Sequence, residues 1–333
     1  MRAMVLEQVR QPLKLQERAV PEPGPGQVLL EIRACAVCRT DLHVVDGELP
    51  HPKLPLIIGH EIVGRVIRLG ERASRISMGT RVGVPWLGWT DGVCSYCLAG
   101  QENLCVQARF TGYTLDGGYA EYAVADERFC IPIPESYSDT EAAPLLCAGI
   151  TTYNALRNSG ARSGDTVAVQ GIGGLGHLAI QFAARMGFRT IAISRGAEKR
   201  ELAEKLGAQE YIDTQKVTAA EGLQKLGGAD LVLATAPNSE AISSTVDGLK
   251  PRGKLLIVAA AVEPLKVSGL TLLSGKSVVG WPSGSAFDSE ETVAFSVLTG
   301  VRPRVEVFKL EQAEQAFGKM MENRVRFRAV LTP

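Results

Sequence analysis

The strongest constraint on the fold is a glycine-rich segment, Gly171-Ile172-Gly173-Gly174-Leu175-Gly176, which has the spacing G-x-G-x-x-G. It follows a β-rich run at residues 166–170 and opens a helical pattern at residues 175–186. Glycines at these positions allow a tight turn, a close approach of the backbone to a pyrophosphate, and packing of the helix on the strand. Free N–H groups at the helix N-terminus then face the phosphates. The segment predicts a dinucleotide-binding loop, with a purely structural glycine turn as the alternative.

The end of the next predicted strand bears on the choice of dinucleotide. A carboxylate about twenty residues after the loop would bind the ribose hydroxyls, but the chain has Ser194 and Arg195 there. These side chains suit a 2′-phosphate better, and Lys199 and Arg200 follow closely. We therefore expect NADP rather than NAD, with Ser194, Arg195 and Lys199 at the phosphate. The alternative for Arg195 is an ordinary surface charge.

The pattern of apolar runs divides this 333-residue chain, which is long for a single core, into two parts. Up to about residue 145, short β-rich runs such as 28–32 and 119–124 alternate with Pro- and Gly-rich turns. From about residue 165, strand and helix patterns alternate, which predicts right-handed crossovers and a parallel sheet. The last fifty residues carry helical patterns at 288–299 and 310–322 and a strand at 326–331, and could return to the first part.

Charge and composition argue against several classes of partner. The 36 basic and 36 acidic side chains give no formal net charge, so nucleic acid and anionic membranes are not expected as main partners. There is no run of eighteen apolar residues and no signal-peptide pattern, so we expect a cytoplasmic protein without a membrane span. Thiols stay reduced in the cytoplasm, and seven cysteines, an odd number, then favour metal binding or catalysis over disulfides.

One candidate metal site is local in sequence. Cys94, Cys97 and Cys105 lie within twelve residues of a glycine-bounded loop. A closed tetrahedral zinc site needs four ligands, and Asp91, three residues before Cys94, can supply the fourth through oxygen. Three free or redox-active thiols are the alternative.

A second candidate site is dispersed along the chain. Cys38, His60 with Glu61, and Cys147 offer thiolate and imidazole ligands, which zinc prefers, and a catalytic zinc keeps one position open for substrate. Such wide spacing does not establish that the side chains meet. A structural histidine remains the alternative for His60.

Taken together, these motifs resemble those of the zinc-containing medium-chain alcohol dehydrogenase family, in the same order and over essentially the whole chain. The motifs that carry the resemblance are the glycine loop and the runs at residues 38–43, 59–61, 91–105, 116–122 and 147–153. The resemblance implies an α/β protein with two domains. Residues 1–145 and 286–333 would form a GroES-like, mostly-β catalytic domain, and residues 146–285 a Rossmann domain with a doubly wound parallel sheet.

The resemblance also implies roles for the dispersed cluster. Cys38, His60 and Cys147 would ligate a catalytic zinc, and Glu61 would coordinate it transiently. Asp41 would orient the imidazole of His60, as carboxylates near zinc ligands commonly do.

The local cluster would hold a second, structural zinc, so two zinc ions per chain are expected. Family members normally have four cysteines in this loop, whereas the first ligand position here is Asp91. We expect an occupied site with somewhat weaker binding. Facing the cofactor, the resemblance places Arg39 at the pyrophosphate and Thr151 at the nicotinamide.

The activity implied is reversible hydride transfer between NAD(P) and a primary aliphatic or benzylic alcohol, through a zinc-bound alkoxide, with aldehyde reduction as the reverse reaction. Thr40, a ribose hydroxyl and His43 would pass the proton to solvent, although His43 could be a surface residue. Trp86 matches an aromatic wall of the substrate pocket. Leu49 stands where some members have a tryptophan, so longer or benzylic substrates should fit. Ordinary core packing is the alternative for Leu49 and Trp86.

Two other functions remain as alternatives. A zinc-free quinone or enone reductase of the same superfamily would lack the Cys38, His60 and Cys147 set. The other is a non-enzymatic zinc- or nucleotide-binding protein on this fold, against which the intact set of Cys38, Thr40, His43, His60 and Cys147 argues. We further expect a homo-oligomer, a tetramer rather than a dimer, built partly by edge pairing near residues 277–286.

Overall fold

The computed structural model describes residues 1–333, which form two compact units. Unit 1 combines Met1–Ile150 with Gly284–Pro333, and unit 2 is the contiguous segment Thr151–Ser283. Neither unit contains a helix of the length and apolar character needed to cross a bilayer.

Eighteen strands and eleven α-helices make up the two units. The strands are β1 (Arg2–Leu6), β2 (Lys14–Glu17), β3 (Gln27–Ala36), β4 (Leu56–Ile57), β5 (Ile62–Leu69), β6 (Arg81–Val84), β7 (Leu87–Trp89), β8 (Arg109–Phe110), β9 (Tyr122–Asp126), β10 (Ile131–Pro132), β11 (Thr166–Gln170), β12 (Arg189–Ser194), β13 (Glu210–Asp213), β14 (Ala229–Ala234), β15 (Leu249–Ile257), β16 (Ser277–Gly280), β17 (Val305–Lys309) and β18 (Arg328–Thr332). The helices are α1 (Arg39–Val45), α2 (Ser95–Leu98), α3 (Asp139–Ala142), α4 (Ala148–Arg157), α5 (Gly176–Arg185), α6 (Arg200–Leu206), α7 (Ala219–Lys225), α8 (Ser239–Ser243), α9 (Gly269–Leu272), α10 (Ala286–Thr299) and α11 (Ala313–Met321).

Unit 2 is built on a six-stranded parallel sheet with the order β13-β12-β11-β14-β15-β16. Every residue of β11 is buried, as expected for a central strand of a parallel sheet with both faces covered. Numbered from β11, the order is 3-2-1-4-5-6, which is the doubly wound arrangement of dinucleotide-binding folds. The predicted α/β fold with a parallel sheet is therefore confirmed, and the helix predicted at 175–186 is α5.

Unit 1 is mostly β, and its largest sheet draws on both ends of the chain. The order is β10-β6-β5-β3-β18-β17, with β9 also paired to β3. Strand β18 runs antiparallel to β3 and parallel to β17. The C-terminal segment therefore completes a sheet begun by the N-terminal segment, and Phe308, Phe317 and Leu331 enter the same buried core as Leu30 and Val66.

The strand predicted at 119–124 is wrong in its first half. Strand β9 begins at Tyr122, and Ala120 makes only an isolated bridge with Ala3. The reason is that Tyr119 bonds to two separate segments: its N–H donates to the carbonyl of Ile58 and its carbonyl accepts from Met4. An alternating pattern of polar and apolar residues indicates only which side chains are buried. Tyr119 is buried although its backbone is not part of a strand ladder.

Candidate metal centres and dinucleotide loop

Three separate elements of unit 1 bring the dispersed cluster together. Cys38 lies directly before α1, His60 and Glu61 directly before β5, and Cys147 directly before α4. One ligand atom from each of these four residues lies within 4.8 Å of the others. The Sγ atoms of Cys38 and Cys147 are 3.7 Å apart. Residues separated by 109 positions in sequence therefore share one site, in which Cys38, His60 and Glu61 are buried and Cys147 is partly exposed.

The carboxylate of Asp41 contacts two residues of this site and the neighbouring Tyr119. It accepts hydrogen bonds from the backbone N–H of Cys38 (2.8 Å) and from the hydroxyl of Tyr119 (3.0 Å), and it lies 2.8 Å from Nδ1 of His60. With Nδ1 bonded to Asp41, the lone pair of Nε2 is left for another partner. That Nε2 atom is buried and has no hydrogen-bond partner within the protein.

These observations fit a zinc ion. An unpartnered buried imidazole nitrogen is uncommon in folded proteins, and here it lies among two sulfur atoms and a carboxylate. Two thiols and one imidazole form the donor set of a catalytic zinc site with one open position. The alternative of a purely structural role for His60 leaves its Nε2 atom unexplained.

The ionisable groups of the site shift one another's pKa values. Their mutual hydrogen bond and the nearby imidazole lower the pKa of Cys38, and the same hydrogen bond together with burial raises the pKa of Cys147. Burial alone would lower the pKa of His60, but Asp41 and the sulfur of Cys38 raise it well above its ordinary value. The contact between the two sulfurs therefore favours the thiolate at Cys38 and the thiol at Cys147, and a bound cation would favour the thiolate at both.

A buried ion pair, which the sequence analysis missed, lies beside this cluster. Arg328 donates from Nη2 to Oε1 of Glu61, and both side chains are almost completely buried. Burial raises the pKa of Glu61 to about 8, although the guanidinium of Arg328 acts in the opposite direction. The available signal was the charged Arg328 directly before the apolar run 329–331 of the C-terminal strand.

The local cluster also converges in unit 1. Ligand atoms of Asp91, Cys94, Cys97 and Cys105 lie within 4.8 Å of one another. Oδ1 of Asp91 accepts the backbone N–H of Cys94 (3.0 Å) and of Val93 (2.9 Å). These bonds lower the pKa of Asp91 to about 2, so its carboxylate is ionised at neutral pH.

The thiols of the local cluster differ in their protonation. Backbone hydrogen bonds lower the pKa of Cys94, whereas burial and the neighbouring sulfurs raise the pKa of Cys97 to about 11. One carboxylate oxygen and three sulfurs within 4.8 Å of one another suit a closed tetrahedral zinc site.

In unit 2 the glycine loop has the geometry that its sequence predicts. Gly171 has a φ of +93°, which disfavours other residues, and a Cβ atom on Gly176 would lie 1.9 Å from the carbonyl oxygen of Gly171. A Cβ atom on Gly173 would meet nothing within 4 Å. The first and third glycines are therefore required by the fold, whereas the second leaves open space above the loop.

The residues predicted at the 2′-phosphate lie at and after the end of β12. Ser194 ends this strand, and Arg195 is exposed and forms no ion pair. Lys199 donates from Nζ to the carbonyl of Ile172 in the glycine loop (2.8 Å). Asp213, which pairs with Ser194 across the sheet, is buried and accepts the N–H of Gly196 (2.8 Å).

The remaining predicted site residues are distributed between the units. In unit 1, Thr40 accepts a hydrogen bond from the thiol of Cys38 (3.7 Å), and the half-buried Arg39 contacts the sulfur of Met321. In unit 2, Thr151 donates to the hydroxyl of Ser283 (3.0 Å).

Beside the dispersed cluster, Trp86 is the centre of an aromatic stack. Its ring packs edge-on against His60 with centroids 5.0 Å apart, and it stacks on Phe110 (4.9 Å) and Tyr113 (5.7 Å). The hydroxyl of Tyr113 donates to the carbonyl of Pro50, next to the half-buried Leu49. Phe110 and Tyr113 are further candidate pocket residues that no sequence spacing indicated.

Two family models match separate parts of the chain. The alcohol dehydrogenase GroES-like domain matches residues 24–135, and the zinc-binding dehydrogenase domain matches residues 174–298.

Known proteins with similar sequence or structure cover nearly the whole chain. An alcohol dehydrogenase of Penicillium expansum, patD, is 43% identical over 320 residues, which is 96% of this chain and 94% of the relative. An alcohol dehydrogenase of Geobacillus stearothermophilus is 40% identical over 334 residues, 99% of each chain. The solved alcohol dehydrogenase of Aeropyrum pernix superposes with a TM-score of 0.93 at 31% identity and covers both chains completely.

Proposed function

Because the chain belongs to the zinc-type medium-chain dehydrogenase family and is an oxidoreductase acting on alcohols, we propose that it is a zinc-dependent, NADP-preferring dehydrogenase of primary aliphatic or benzylic alcohols. The reverse reaction is reduction of the corresponding aldehydes. In this proposal unit 1 is the catalytic domain and unit 2 the dinucleotide-binding domain.

One observation carries the proposal. Cys38, His60 and Cys147 converge, and the buried Nε2 of His60 has no partner in the protein. Zinc bound there supplies a Lewis acid that lowers the pKa of an alcohol hydroxyl. A nicotinamide dinucleotide supplies the hydride acceptor.

The protein's own residues prepare the site for that chemistry. Asp41 bonds to Nδ1 of His60 and so fixes the orientation of the imidazole and directs Nε2 toward the sulfurs. Arg328 compensates the charge of the buried Glu61. The contact with Arg328 holds the carboxyl group of Glu61 beside the ligands and favours its ionised form, which burial alone disfavours. Glu61 is thus placed to contribute a carboxylate oxygen to the cation.

The aromatic stack supports the proposed substrate class. Trp86 packs against His60, and Phe110 and Tyr113 stack on Trp86. Aromatic side chains of this kind favour offset packing with a benzylic ring. Leu49 is smaller than a tryptophan and is only partly buried. We propose that these four side chains line the substrate pocket.

The preference for NADP rests on unit 2. Arg195 is exposed and unpaired at the end of β12, and Asp213 is already committed to the backbone of Gly196. At that strand end a 2′-phosphate would meet the guanidinium of Arg195. Glu198 lies against Gly196 in the same loop and is the one group there that favours NAD.

We further propose that Asp91, Cys94, Cys97 and Cys105 hold a structural zinc and that the protein acts in the cytoplasm.

We also propose that the protein is a homo-oligomer, a tetramer rather than a dimer. Strand β16 lies at the edge of the sheet in unit 2. In the segment that precedes β16 in sequence, Leu270 and Leu273 are about four-fifths exposed. Edge pairing with a second copy would cover this apolar surface. Sedimentation velocity gives the number of copies.

The experiment that tests the proposed function combines metal analysis with steady-state kinetics. Zinc per chain is measured, and kcat/KM is determined with NADP and NAD for ethanol, hexanol and benzyl alcohol. We expect two zinc ions per chain, turnover of all three alcohols, and a preference for NADP that Arg195→Ala reduces. Cys147→Ser should lose the catalytic zinc and turnover while keeping dinucleotide binding.

Other outcomes distinguish the alternatives. Turnover of a quinone or enone without zinc would identify a reductase of the zinc-free type. Zinc and dinucleotide binding without any turnover would identify a non-enzymatic protein on this fold. A preference for NAD that is unaffected by Arg195→Ala would overturn the cofactor assignment alone.

A further inference from the structure

A buried histidine with a half-exposed carboxylate partner lies at the end of α1. The side chain of His43 is 9% exposed, and its Nδ1 is hydrogen-bonded to Oε2 of Glu48, whose side chain is 39% exposed. The loop after α1 is folded back so that Glu48 N–H (2.9 Å) and Leu49 N–H (3.3 Å) both donate to the carbonyl of His43. The same residue therefore holds Glu48 through its main chain and its side chain.

No other carboxylate competes for this imidazole. Asp41, on the same helix, is committed to His60, Cys38 and Tyr119. Asp46 caps the helix and is exposed, and the nearby Arg10 donates to its backbone carbonyl. The pair of His43 and Glu48 is thus a defined contact between a nearly enclosed base and a group that reaches water.

We propose that Glu48 is the outer member of a proton path, a role that rests on the proposed function. When alcohol oxidation delivers a proton to Nε2 of His43, the imidazolium passes its Nδ1 proton to Oε2 of Glu48. The resulting carboxylic acid releases that proton to water, which leaves Glu48 ionised and His43 neutral with its proton on Nε2. Exchange of the imidazole tautomer through water restores the proton on Nδ1 before the next turnover. Reduction of an aldehyde runs the same transfers in reverse, so neither direction consumes a further reactant.

The geometry explains why a second group is needed. A histidine can relay a proton only if one nitrogen accepts while the other donates. Because the His43 ring is nearly enclosed and its Nδ1 bonds to Glu48, the exit from Nδ1 leads through this carboxylate. Glu48 acts through His43 and is a positioning and proton-transfer residue without contact to the proposed zinc ligands.

The first test compares glutamate variants in the full-length, zinc-loaded enzyme. Glu48→Gln keeps the size of the side chain but removes the proton acceptor, so kcat should fall by about tenfold while KM for the alcohol changes little. The solvent deuterium isotope effect on kcat should rise because proton release becomes rate-limiting. Glu48→Asp should restore part of kcat, and formate should restore part of kcat in Glu48→Ala.

A matched control and an independent readout complete the test. Glu7→Gln removes a carboxylate of similar exposure that pairs with Lys14, and should leave kcat unchanged. Nitrogen-15 NMR of the four imidazoles, with His43→Asn for assignment, should show Nδ1 of His43 bonded to Glu48 in the parent and altered in Glu48→Gln.

Each remaining outcome overturns a stated claim. An imidazole spectrum of His43 that is identical in Glu48→Gln would show that the pair does not exist. An altered spectrum with unchanged kcat and isotope effect, in an active parent, would overturn the proton path and leave the proposed function intact. A parent without alcohol-dependent turnover would overturn the proposed function, and the proton path with it.

Discussion

At the scale of single residues, Asp41 is the group on which the dispersed cluster most depends. Its carboxylate connects the backbone of Cys38, the hydroxyl of Tyr119 and the imidazole of His60. Asp41→Asn preserves size but removes the charge and one acceptor. We expect zinc affinity at this cluster to fall by about 10- to 100-fold, because the imidazole loses the partner that fixes its orientation and basicity. Competition with a chromophoric chelator measures the affinity.

Asp46→Asn is the matched control for this prediction. Asp46 follows the same helix but is exposed, and it contacts neither cluster. Its substitution should change zinc affinity by less than about twofold, since charges on the surface are screened. Equal affinities in Asp41→Asn and the parent would show that Asp41 has no role in metal binding.

The same residues show how far sequence reasoning reaches at this scale. Cys38, His60 and Cys147 were proposed from a family resemblance, because their spacing alone says nothing about proximity. Glu61 and Arg328 are 267 positions apart, and no local pattern encodes their contact. The partner of His43 was equally hidden, since Glu48 follows it in a loop where acidic residues are ordinary.

At the scale of elements, the loop of the local cluster has little apolar burial of its own. Helix α2 is four residues long, and Val93, Leu98 and Val106 are each about three-quarters exposed. A segment without a core is stabilised by few contacts. We expect removal of zinc by a chelator to increase amide hydrogen exchange over residues 91–107, while strand β3 keeps its protection.

Substitutions at the oxygen ligand sharpen this prediction. Asp91→Cys creates the four-sulfur set that zinc binds strongly, so exchange in the loop should resist the chelator better than in the parent. Asp91→Ala should give rapid exchange even with zinc present. If the chelator leaves amide hydrogen exchange over residues 91–107 unchanged in the parent, Asp91→Cys and Asp91→Ala, the loop is ordered without metal.

Elements also differ in how well their sequences reveal them. Helix α5 and strand β11 were predicted to within one residue at each end, because each follows a local hydrophobic period. Helix α1 was not predicted, although Cys38 before it and Asp41 in its first turn are visible in the sequence. Leu42, Val44 and Val45 of this helix are buried in the core of unit 1 by contacts with distant parts of the chain, which a local hydrophobic pattern does not show.

At the scale of the whole molecule, the two units differ in how the chain builds them. Unit 2 comes from one uninterrupted segment, whereas the main sheet of unit 1 requires β17 and β18 from beyond residue 283. The parallel sheet could therefore be predicted from the alternation of strand and helix patterns within one segment. The return of the C-terminal strand could only be suggested, because strand pairing across nearly 300 residues has no local signal.

This difference in connectivity predicts how fragments behave. Residues 151–283 alone should fold and unfold cooperatively on heating, because all six parallel strands lie within them. Residues 1–150 alone should not, since β3 loses its partner β18 and the core loses Phe308, Phe317 and Leu331. Circular dichroism melts of the two fragments compare them directly. A cooperative transition in residues 1–150 would contradict this view of unit 1.

Dinucleotide binding by the fragment 151–283 tests the function of unit 2 separately from its fold. Residues 151–283 should bind NADP more tightly than NAD by calorimetry, if Arg195 contacts the 2′-phosphate. Gly173→Ala is the discriminating variant, because its new Cβ meets no protein atom within 4 Å and would stand where a pyrophosphate approaches the backbone. The variant should melt like the parent fragment but lose dinucleotide affinity. Unchanged affinity in Gly173→Ala would mean that the glycine loop is only a turn, and that unit 2 binds the dinucleotide elsewhere or not at all.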